Sequence, residues 1–209
     1  MKKQIILLTS LFLLLGSLAL NAQDAQQECN IKYNLFKGDY QSKKYDDAYP
    51  NWMYLMDNCQ KLSINVYKLG DKLAQVRFKN AENKTEAAAL VKRVYTQRLE
   101  NYPTDDPAKA HSNYATFLIK NKLASDQEVF EILQLAYNLD PTRMSVKNIY
   151  RYFQGITDTY KDTNPQKVFD TYDDVLESVG EKLADYAKKL KALNDKLDAG
   201  QELDKRDSK

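Results

Sequence analysis

Apolar residues recur at steps of three and four positions through most of the chain, and this spacing restricts the possible folds more than any other feature. Clear runs lie within 62–73, 90–99 and 110–118. Such steps place side chains on one face of an α-helix, whereas a half-buried strand needs strict alternation. The Asn-Gly and Asp-Gly pairs that mark tight hairpins between strands do not occur in the sequence. The spacing therefore predicts an all-α fold.

Helix boundaries are marked by side chains that satisfy the free backbone donors of a first turn. Three helix starts are predicted in this way: Asp106 before Pro107, Ser125 with Glu128, and Thr163 with Gln166. Pro50 fits a helix that is capped by Asp46 or Asp47 and runs to about Cys59, because a proline in the first turn loses no intrahelical bond. Short turns between such helices predict antiparallel hairpins.

The hairpins recur at a roughly constant interval. Their second helices are predicted to end at Gln60, Pro103, Pro141 and Gly180, which lie about 40 residues apart. A fixed period of this size is typical of proteins built from stacked helical repeats. We therefore expect residues 23–180 to form about four antiparallel helix hairpins.

The segment 181–199 is predicted to be a separate C-terminal capping helix, because its leucines lie on one stripe. These leucines are Leu183, Leu190, Leu193 and Leu197. A helix of this kind covers the apolar face that the last hairpin of a repeat array leaves exposed. A dimerising coiled coil is the alternative interpretation of the stripe. Residues 200–209 are charged and are expected to form a flexible tail.

Residues 1–22 have the form of a secretory signal peptide. Lys2 and Lys3 precede the mostly apolar run Ile5–Leu20, and cleavage is predicted after Ala22. A periplasmic or secreted location follows, with an uncleaved membrane anchor as the alternative. No later stretch is long and apolar enough to cross a bilayer, so no transmembrane span is expected after cleavage.

The charge balance argues against a nucleic-acid partner. The complete sequence has 31 basic and 29 acidic residues, and the signal peptide carries two of the basic residues and none of the acidic ones. The remainder is therefore formally neutral. Binding to nucleic acid depends on clustered Lys and Arg, whereas the charges of this chain are interspersed.

The chain contains two cysteines, Cys29 and Cys59. They lie at the start of the first predicted helix and at the end of the second, and these two ends meet in an antiparallel hairpin. A disulfide is therefore expected in an oxidising compartment. Two free, buried thiols are the alternative. Two cysteines and one histidine are too few for a structural zinc site.

The sequence offers little support for catalysis. His111 is the only histidine and is predicted to lie on the surface of its helix. Gly-rich phosphate loops, a nucleophile elbow and paired metal-binding histidines do not occur in the sequence. We therefore expect no enzyme activity, no cofactor and no metal ion. Most aromatic side chains are expected in the core, and these include Trp52, Tyr95, Tyr114, Tyr150 and Tyr172.

Several stretches resemble tetratricopeptide repeats. AYNLDP (136–141) resembles the close of such a repeat, KYDDA (44–48) the opening of its second helix, and Leu69-Gly70 in VYKLGDKLA the tight-packing pair of its first helix. The signal peptide, the tripeptide ECN near the start of the chain and the stretches YNLFKGDY and MSVKNIYRYF add to this resemblance. With them, the chain is similar to exported tetratricopeptide-repeat proteins of Bacteroidota. The resemblance implies a right-handed solenoid. HEAT-like packing or irregular hairpins are the alternatives.

In such a solenoid the first helices of the repeats line a concave groove. The residues that the resemblance and the helical spacing place there are Tyr67, Asp71, His111, Lys147 and Arg151. We therefore expect a scaffold or adaptor that holds a protein or peptide partner in the cell envelope. A structural subunit of an oligomer or of an outer-membrane assembly is the alternative. A binder of carbohydrate or small molecules through the tyrosines is a weaker possibility.

Overall fold

A computed structural model describes residues 24–204, and this part of the chain is all α-helical, as predicted. The predicted signal peptide and the end of the predicted tail lie outside the described residues. The helices are α1 (24–41), α2 (Tyr45–Asn58), α3 (Asn65–Asn80), α4 (Lys84–Asn101), α5 (Pro107–Asn121), α6 (Asp126–Leu139), α7 (Val146–Tyr160) and α8 (Pro165–Asp198), with a short 3-10 helix at Pro141–Arg143.

The chain divides into two compact units at Pro103 and Thr104. The first unit contains helices α1 to α4, and the second contains α5 to α8. Consecutive helices pack against each other within each unit: α2 with α3, α3 with α4, α5 with α6, α6 with α7, and α7 with α8. Connections of a few residues make such neighbours antiparallel. Helical hairpins are thus the building blocks of both units.

Trp52 is the centre of the first unit. Its side chain is fully buried on α2, as predicted, and its indole Nε1 donates a hydrogen bond to the Val66 carbonyl at 2.9 Å. The indole lies over Gly70 of α3, so closely that a Cβ at this position would overlap the ring. The absence of a side chain at Gly70 therefore determines how near α2 and α3 approach. Other fully buried residues of the first unit are Phe36, Leu55, Met56, Tyr67 and Leu73.

The predicted disulfide is confirmed. Cys29 of α1 and Cys59, directly after α2, are bonded, with 5.9 Å between their Cα atoms. Both cysteines are buried. The bond therefore joins the start of the described α1 to the end of α2.

An apolar core in the second unit is formed by α5, α6, α7 and Met144, which follows the 3-10 helix, and Val168, Val175 and Val179 of α8 pack against it. Its buried members are Ala115, Val129, Leu133, Ala136, Met144, Ile149, Tyr152 and Ile156. Here too a glycine accepts an aromatic ring, because a Cβ at Gly155 of α7 would overlap Phe130 of α6. In both units, therefore, the second helix of one hairpin inserts an aromatic ring against a glycine in the first helix of the next.

The predicted helix starts are correct in position for α5 and α6 and shifted for α8. Asp106 precedes Pro107 as predicted, but its side chain makes no capping hydrogen bond and instead accepts from Arg143. Ser125 and Glu128 form the predicted capping box at α6. The cap of α8 is Asn164, whose side chain accepts a hydrogen bond from the backbone N–H of Lys167, so the predicted pair Thr163 and Gln166 is wrong by one residue. Thr163 instead lies outside the helix, in the turn after α7.

The explanation predicted for Pro50 is wrong. Because α2 begins at Tyr45, Pro50 is its sixth residue and lies beyond the first turn. The proline therefore removes one intrahelical bond, to the carbonyl of Asp46. Both residues are exposed, so solvent replaces the missing donor.

The predicted helix end at Gly180 is also wrong, because α8 continues through Gly180 to Asp198. A single glycine lowers helix stability by only about 1 kcal/mol, and good helix formers on both sides compensate for it. The segment 181–199 is therefore not a separate helix. Its leucines Leu183, Leu190 and Leu197 are exposed and do not cover an apolar face of the second unit.

Two tyrosines that were predicted in the core lie on the surface. Tyr150 of α7 and Tyr172 of α8 are 58% and 48% exposed. Each helix buries the neighbouring face instead, through Ile149 and Tyr152 on α7 and Thr171 on α8. Helical spacing alone places adjacent positions about 100° apart and does not show which side of a broad apolar face meets the core.

An ion pair within the second unit makes its stability dependent on pH. The guanidinium of Arg143 donates from Nε to Asp106 Oδ1 at 3.0 Å, and this bond holds the pKa of Asp106 below its usual value. A lowered folded-state pKa stabilises the native state above the unfolded pKa, and the effect is lost as pH falls through the folded pKa. We expect Asp106→Asn to lower the melting temperature at pH 7, with the difference from wild type shrinking as pH falls below the unfolded pKa of the carboxyl. A difference that does not change as pH falls would contradict this assignment.

Candidate functional site

In the first unit, the two residues predicted to contact a partner lie on α3, and only Asp71 is partly exposed. Tyr67 is fully buried, donates a hydrogen bond from its hydroxyl to the Gln60 carbonyl at 3.1 Å, and accepts one from Asn101. Burial raises the pKa of Tyr67 to about 12. Asp71 is half-buried, accepts from Gln75, and has its pKa raised by burial. Replacing Tyr67 would therefore test stability rather than binding.

In the second unit, the other three predicted residues differ in exposure. His111 of α5 is buried, contrary to the surface position predicted for it, and burial lowers its pKa. Its neighbours Ala110 and Ser112 are buried as well. The buried face of α5 is therefore wider than the polar residues beside His111 indicated. Lys147 is exposed, and Arg151 is half-buried and donates to Asn148 Oδ1 at 3.2 Å. Of the five predicted residues, Lys147 is exposed, and Asp71 and Arg151 are partly accessible to a partner.

A different region has the geometry of a binding site. It is an open cleft of about 780 Å³ in the first unit, lined by α2, the end of α3 and the start of α4, and we refer to it as the α2–α4 cleft. Apolar contact surface is provided by Tyr45, Tyr49, Met53, Val76, Ala87 and Leu90. All six are half-buried, so part of each side chain is accessible from the cleft.

Helical spacing explains how these side chains reach one cleft. On α2, Tyr45, Tyr49 and Met53 follow one another at steps of four and form a stripe beside the buried stripe that contains Trp52. On α4, Ala87 and Leu90 are three positions apart and point toward the same opening. The cleft is therefore a second apolar face that the core of the unit does not use.

Arg77 of α3 is held in the cleft by two contacts with α2. Its guanidinium carbon lies 3.7 Å from the centre of the Tyr49 ring, and its Nη1 is 3.3 Å from Asp46 Oδ1. Stacking on an aromatic face and pairing with a carboxylate both restrict the orientation of a guanidinium. Because a guanidinium has five N–H donors, Arg77 can hold Asp46 and still offer donors to a ligand.

Arg93 of α4 occupies the other end of the lining and is held in a similar way. Its Nη2 donates to the Met56 carbonyl at 3.2 Å and to the carboxylate of Asp57, both near the C-terminal end of α2. Each arginine is thus ordered before any ligand arrives. Ordered side chains lose less conformational entropy on binding than mobile ones. The arrangement can bind a carboxylate that is carried by a mostly apolar ligand.

Sequence reasoning missed this cleft, although one signal for it was present. The stripe Tyr45, Tyr49 and Met53 is apolar and adjacent to the buried stripe, so α2 has more apolar surface than one neighbouring helix covers. The two arginines gave no comparable signal. They belong to α3 and α4, and only the packing of these helices brings them to α2.

No protein-family model matches the chain, and no curated protein matches it. The chemistry of the cleft side chains is therefore the basis for assigning a function. Within residues 24–204, no cluster of three or more His, Cys, Asp or Glu side chains is suited to holding a metal ion. None of the helices in the same range combines the length and the apolar character that crossing a membrane requires.

Proposed function

We propose that the protein is an exported helical-repeat adaptor of the periplasm or cell envelope. In this proposal the α2–α4 cleft holds a segment of a partner protein, and the protein carries out no catalysis. The observation that carries the proposal is the lining of the cleft, where Tyr49 and Met53 lie beside the ordered arginines Arg77 and Arg93.

The residue types in the cleft favour a protein ligand. Tyr, Met and Arg are enriched at the centres of protein–protein interfaces, and Tyr and Arg are frequent among the residues whose truncation costs the most affinity. Their half-buried state supports the same conclusion, because a partner can cover the remaining surface without a large rearrangement.

The geometry of the lining favours an amphipathic helix as the bound segment. The stripe Tyr45, Tyr49 and Met53 runs along α2 for about two turns, which suits a ligand that presents apolar side chains at helical spacing. A glutamate or aspartate beside those side chains would pair with the guanidinium of Arg77 or Arg93. We therefore propose a partner segment that is apolar on one face and carries at least one carboxylate at its edge.

Two features support the remaining parts of the proposal. The disulfide between Cys29 and Cys59 is consistent with an oxidising compartment. The recurrent contact of an aromatic ring with a glycine, Trp52 with Gly70 and Phe130 with Gly155, supports a tetratricopeptide-like repeat of hairpins. The right-handed solenoid implied by the resemblance stays a prediction.

Substitution in the cleft is expected to abolish capture of the partner. A photo-crosslinking amino acid placed at Met53 should join the protein to one partner in intact cells. Leu90→Glu places a charge in the apolar lining, and we expect it to reduce the crosslinked yield at least tenfold. Mass spectrometry of the crosslinked peptide would identify the partner segment and show whether it is amphipathic and acidic.

The matched control is Lys92→Glu, which introduces the same side chain on α4 at an exposed position outside the cleft. This variant should retain the full crosslinked yield. Circular dichroism of both variants tests whether they fold like wild type. Equal yields from folded Leu90→Glu and Lys92→Glu would contradict the assignment of the cleft.

A further inference from the structure

Helix α8 carries an apolar stripe with the spacing of a coiled coil. Its apolar positions alternate in steps of three and four over four heptads, which is the 3.5-residue period that keeps two helices in contact as they supercoil. The first position of each heptad, position a, is occupied by Phe169, Leu176, Leu183, Leu190 and Leu197. The fourth position, d, is occupied by Tyr172, Val179, Tyr186 and Leu193.

The heptad stripe forms one face only because α8 is a continuous helix. A helix end at Gly180 divides the pattern into two parts of two heptads each, which is too short for a stable pair of helices. Because α8 runs without interruption from Pro165 to Asp198, all four heptads lie on one face.

Most of the stripe is not used in the packing of the second unit, although Val179 packs against its core and the Tyr172 ring lies 5.9 Å from the Phe153 ring. Seven of its nine side chains are between 48% and 66% exposed. The face that packs within the unit is the adjacent one, where Thr171, Ser178 and Lys182 are buried. Within the described chain, no residue from 183 to 198 is buried. The C-terminal half of α8 thus leaves most of its apolar stripe exposed.

We propose that α8 pairs with α8 of a second copy of this chain, in parallel and in register. An a/d stripe is complementary to itself, since each apolar side chain enters a hole formed by the facing helix. The exposed part of seven large side chains is on the order of 100 Å² each, so two copies would bury about as much as a standard stable interface.

Charged residues beside the stripe favour the parallel orientation. Lys182, at the flanking position g, is buried and donates to the Thr142 carbonyl within its own unit. The next two g residues are Lys189 and Lys196, which are exposed. The opposite flank, position e, is uncharged at Ala187 and Asn194. In a parallel pair each g residue faces an e residue of the partner, so these lysines meet no like charge. An antiparallel pair would bring lysines against lysines.

A second helix fits this stripe better than a lipid surface does. The segment 181–198 contains five lysines and four acidic residues, so it has little net charge with which to bind anionic headgroups. Lys189 pairs with Asp185, and Lys191 with Asp195, which neutralises the polar face within the helix itself. The apolar stripe is also narrow, as in a coiled-coil seam.

Light scattering of the purified protein, in the form that cells produce, tests the proposal. Wild type should have twice the mass of one chain at micromolar concentration. Leu190→Glu places a charge at a position, 59% exposed, where it disturbs no packing within the unit. We expect this variant to raise the dissociation constant at least tenfold. The control Ala192→Glu, on the polar side of the same turn, should remain dimeric.

Disulfide crosslinking determines the orientation. Because Cys29 and Cys59 are bonded to each other, Leu197→Cys introduces the only free thiol in the described chain. Parallel pairing brings the two thiols together, and oxidation should yield a covalent dimer. Antiparallel pairing separates them by most of the length of α8.

Three results would overturn the proposal. The first is a wild type that stays monomeric at 100-fold higher concentration. The second is a dimer that Leu190→Glu leaves intact or that Leu197→Cys does not crosslink. The third is a monomer that floats with anionic vesicles through the stripe and loses this binding in Leu190→Glu. None of these results bears on the α2–α4 cleft, which lies in the other unit.

Discussion

Replacing Trp52 by alanine is expected to lower the free energy of unfolding of the first unit by about 3–5 kcal/mol. The substitution removes a fully buried ring that touches α3, and it removes the hydrogen bond from the indole to the Val66 carbonyl. The cavity left by the indole cannot collapse easily, because Gly70, which lies against the ring, has no side chain that could fill it. Urea denaturation followed by far-ultraviolet circular dichroism measures the change.

Two further variants separate the effect of lost side-chain volume at position 52 from the effect of a changed distance between α2 and α3. Trp52→Phe keeps an aromatic ring but no indole N–H, and it should cost less than alanine. Gly70→Val leaves the tryptophan in place and forces α2 and α3 apart, because even a Cβ overlaps the indole. We expect this variant to be destabilised by at least 1–3 kcal/mol, the usual cost of overpacking. A loss below about 1 kcal/mol in both Trp52→Ala and Gly70→Val would show that this contact does not hold the unit together.

Removing the disulfide is expected to destabilise the same unit by about 3–4 kcal/mol in the chain-entropy model. The bond closes a loop with a sequence separation of 30 residues, and its loss restores the conformational freedom of that loop in the unfolded state. For a unit of this size, the melting temperature should fall by roughly 12–30 °C. Thermal denaturation of Cys29→Ser/Cys59→Ser, followed by circular dichroism, tests this expectation.

The effect of reductant provides the control. Dithiothreitol should lower the melting temperature of wild type by about as much as the double substitution does. The double variant itself should not respond to reductant. A wild-type protein whose melting temperature is unchanged by complete reduction would show that the bond contributes nothing to stability.

The proposed adaptor function and the proposed pairing of α8 are independent in structure. The cleft belongs to the first unit, and the heptad stripe belongs to the second. If both are correct, each assembly carries two clefts, and a partner with two matching segments is bound with increased avidity. Leu90→Glu and Leu190→Glu affect the two properties separately.

The all-helical fold, the α6 capping box and the disulfide were predictable because their causes are local or topological. A three- and four-residue spacing specifies a helix without reference to its neighbours. The capping box of Ser125 and Glu128 involves only residues three positions apart. The pairing of Cys29 with Cys59 followed from the direction of two consecutive helices, which a short turn determines.

Other features depended on distant contacts and were not predictable. Tyr67 and His111 were expected in a groove but are buried, because which stripe of a helix faces inward is decided by the helices that pack on it. The interruption expected at Gly180 does not occur, since residues on both sides favour a helix strongly enough to continue through the glycine.

By itself, the amino-acid sequence of this protein predicted an all-helical chain, its antiparallel hairpins and which cysteines meet. These properties follow from spacings of a few residues and from the reversal of direction at each turn. Only the tertiary structure decided that Tyr49, Arg77 and Arg93 line one cleft and that α8 presents a single heptad stripe. The cleft depends on the relative rotation of packed helices, which is set by contacts such as Trp52 with Gly70 between residues far apart in the chain. The stripe depends on the continuation of α8 through Gly180.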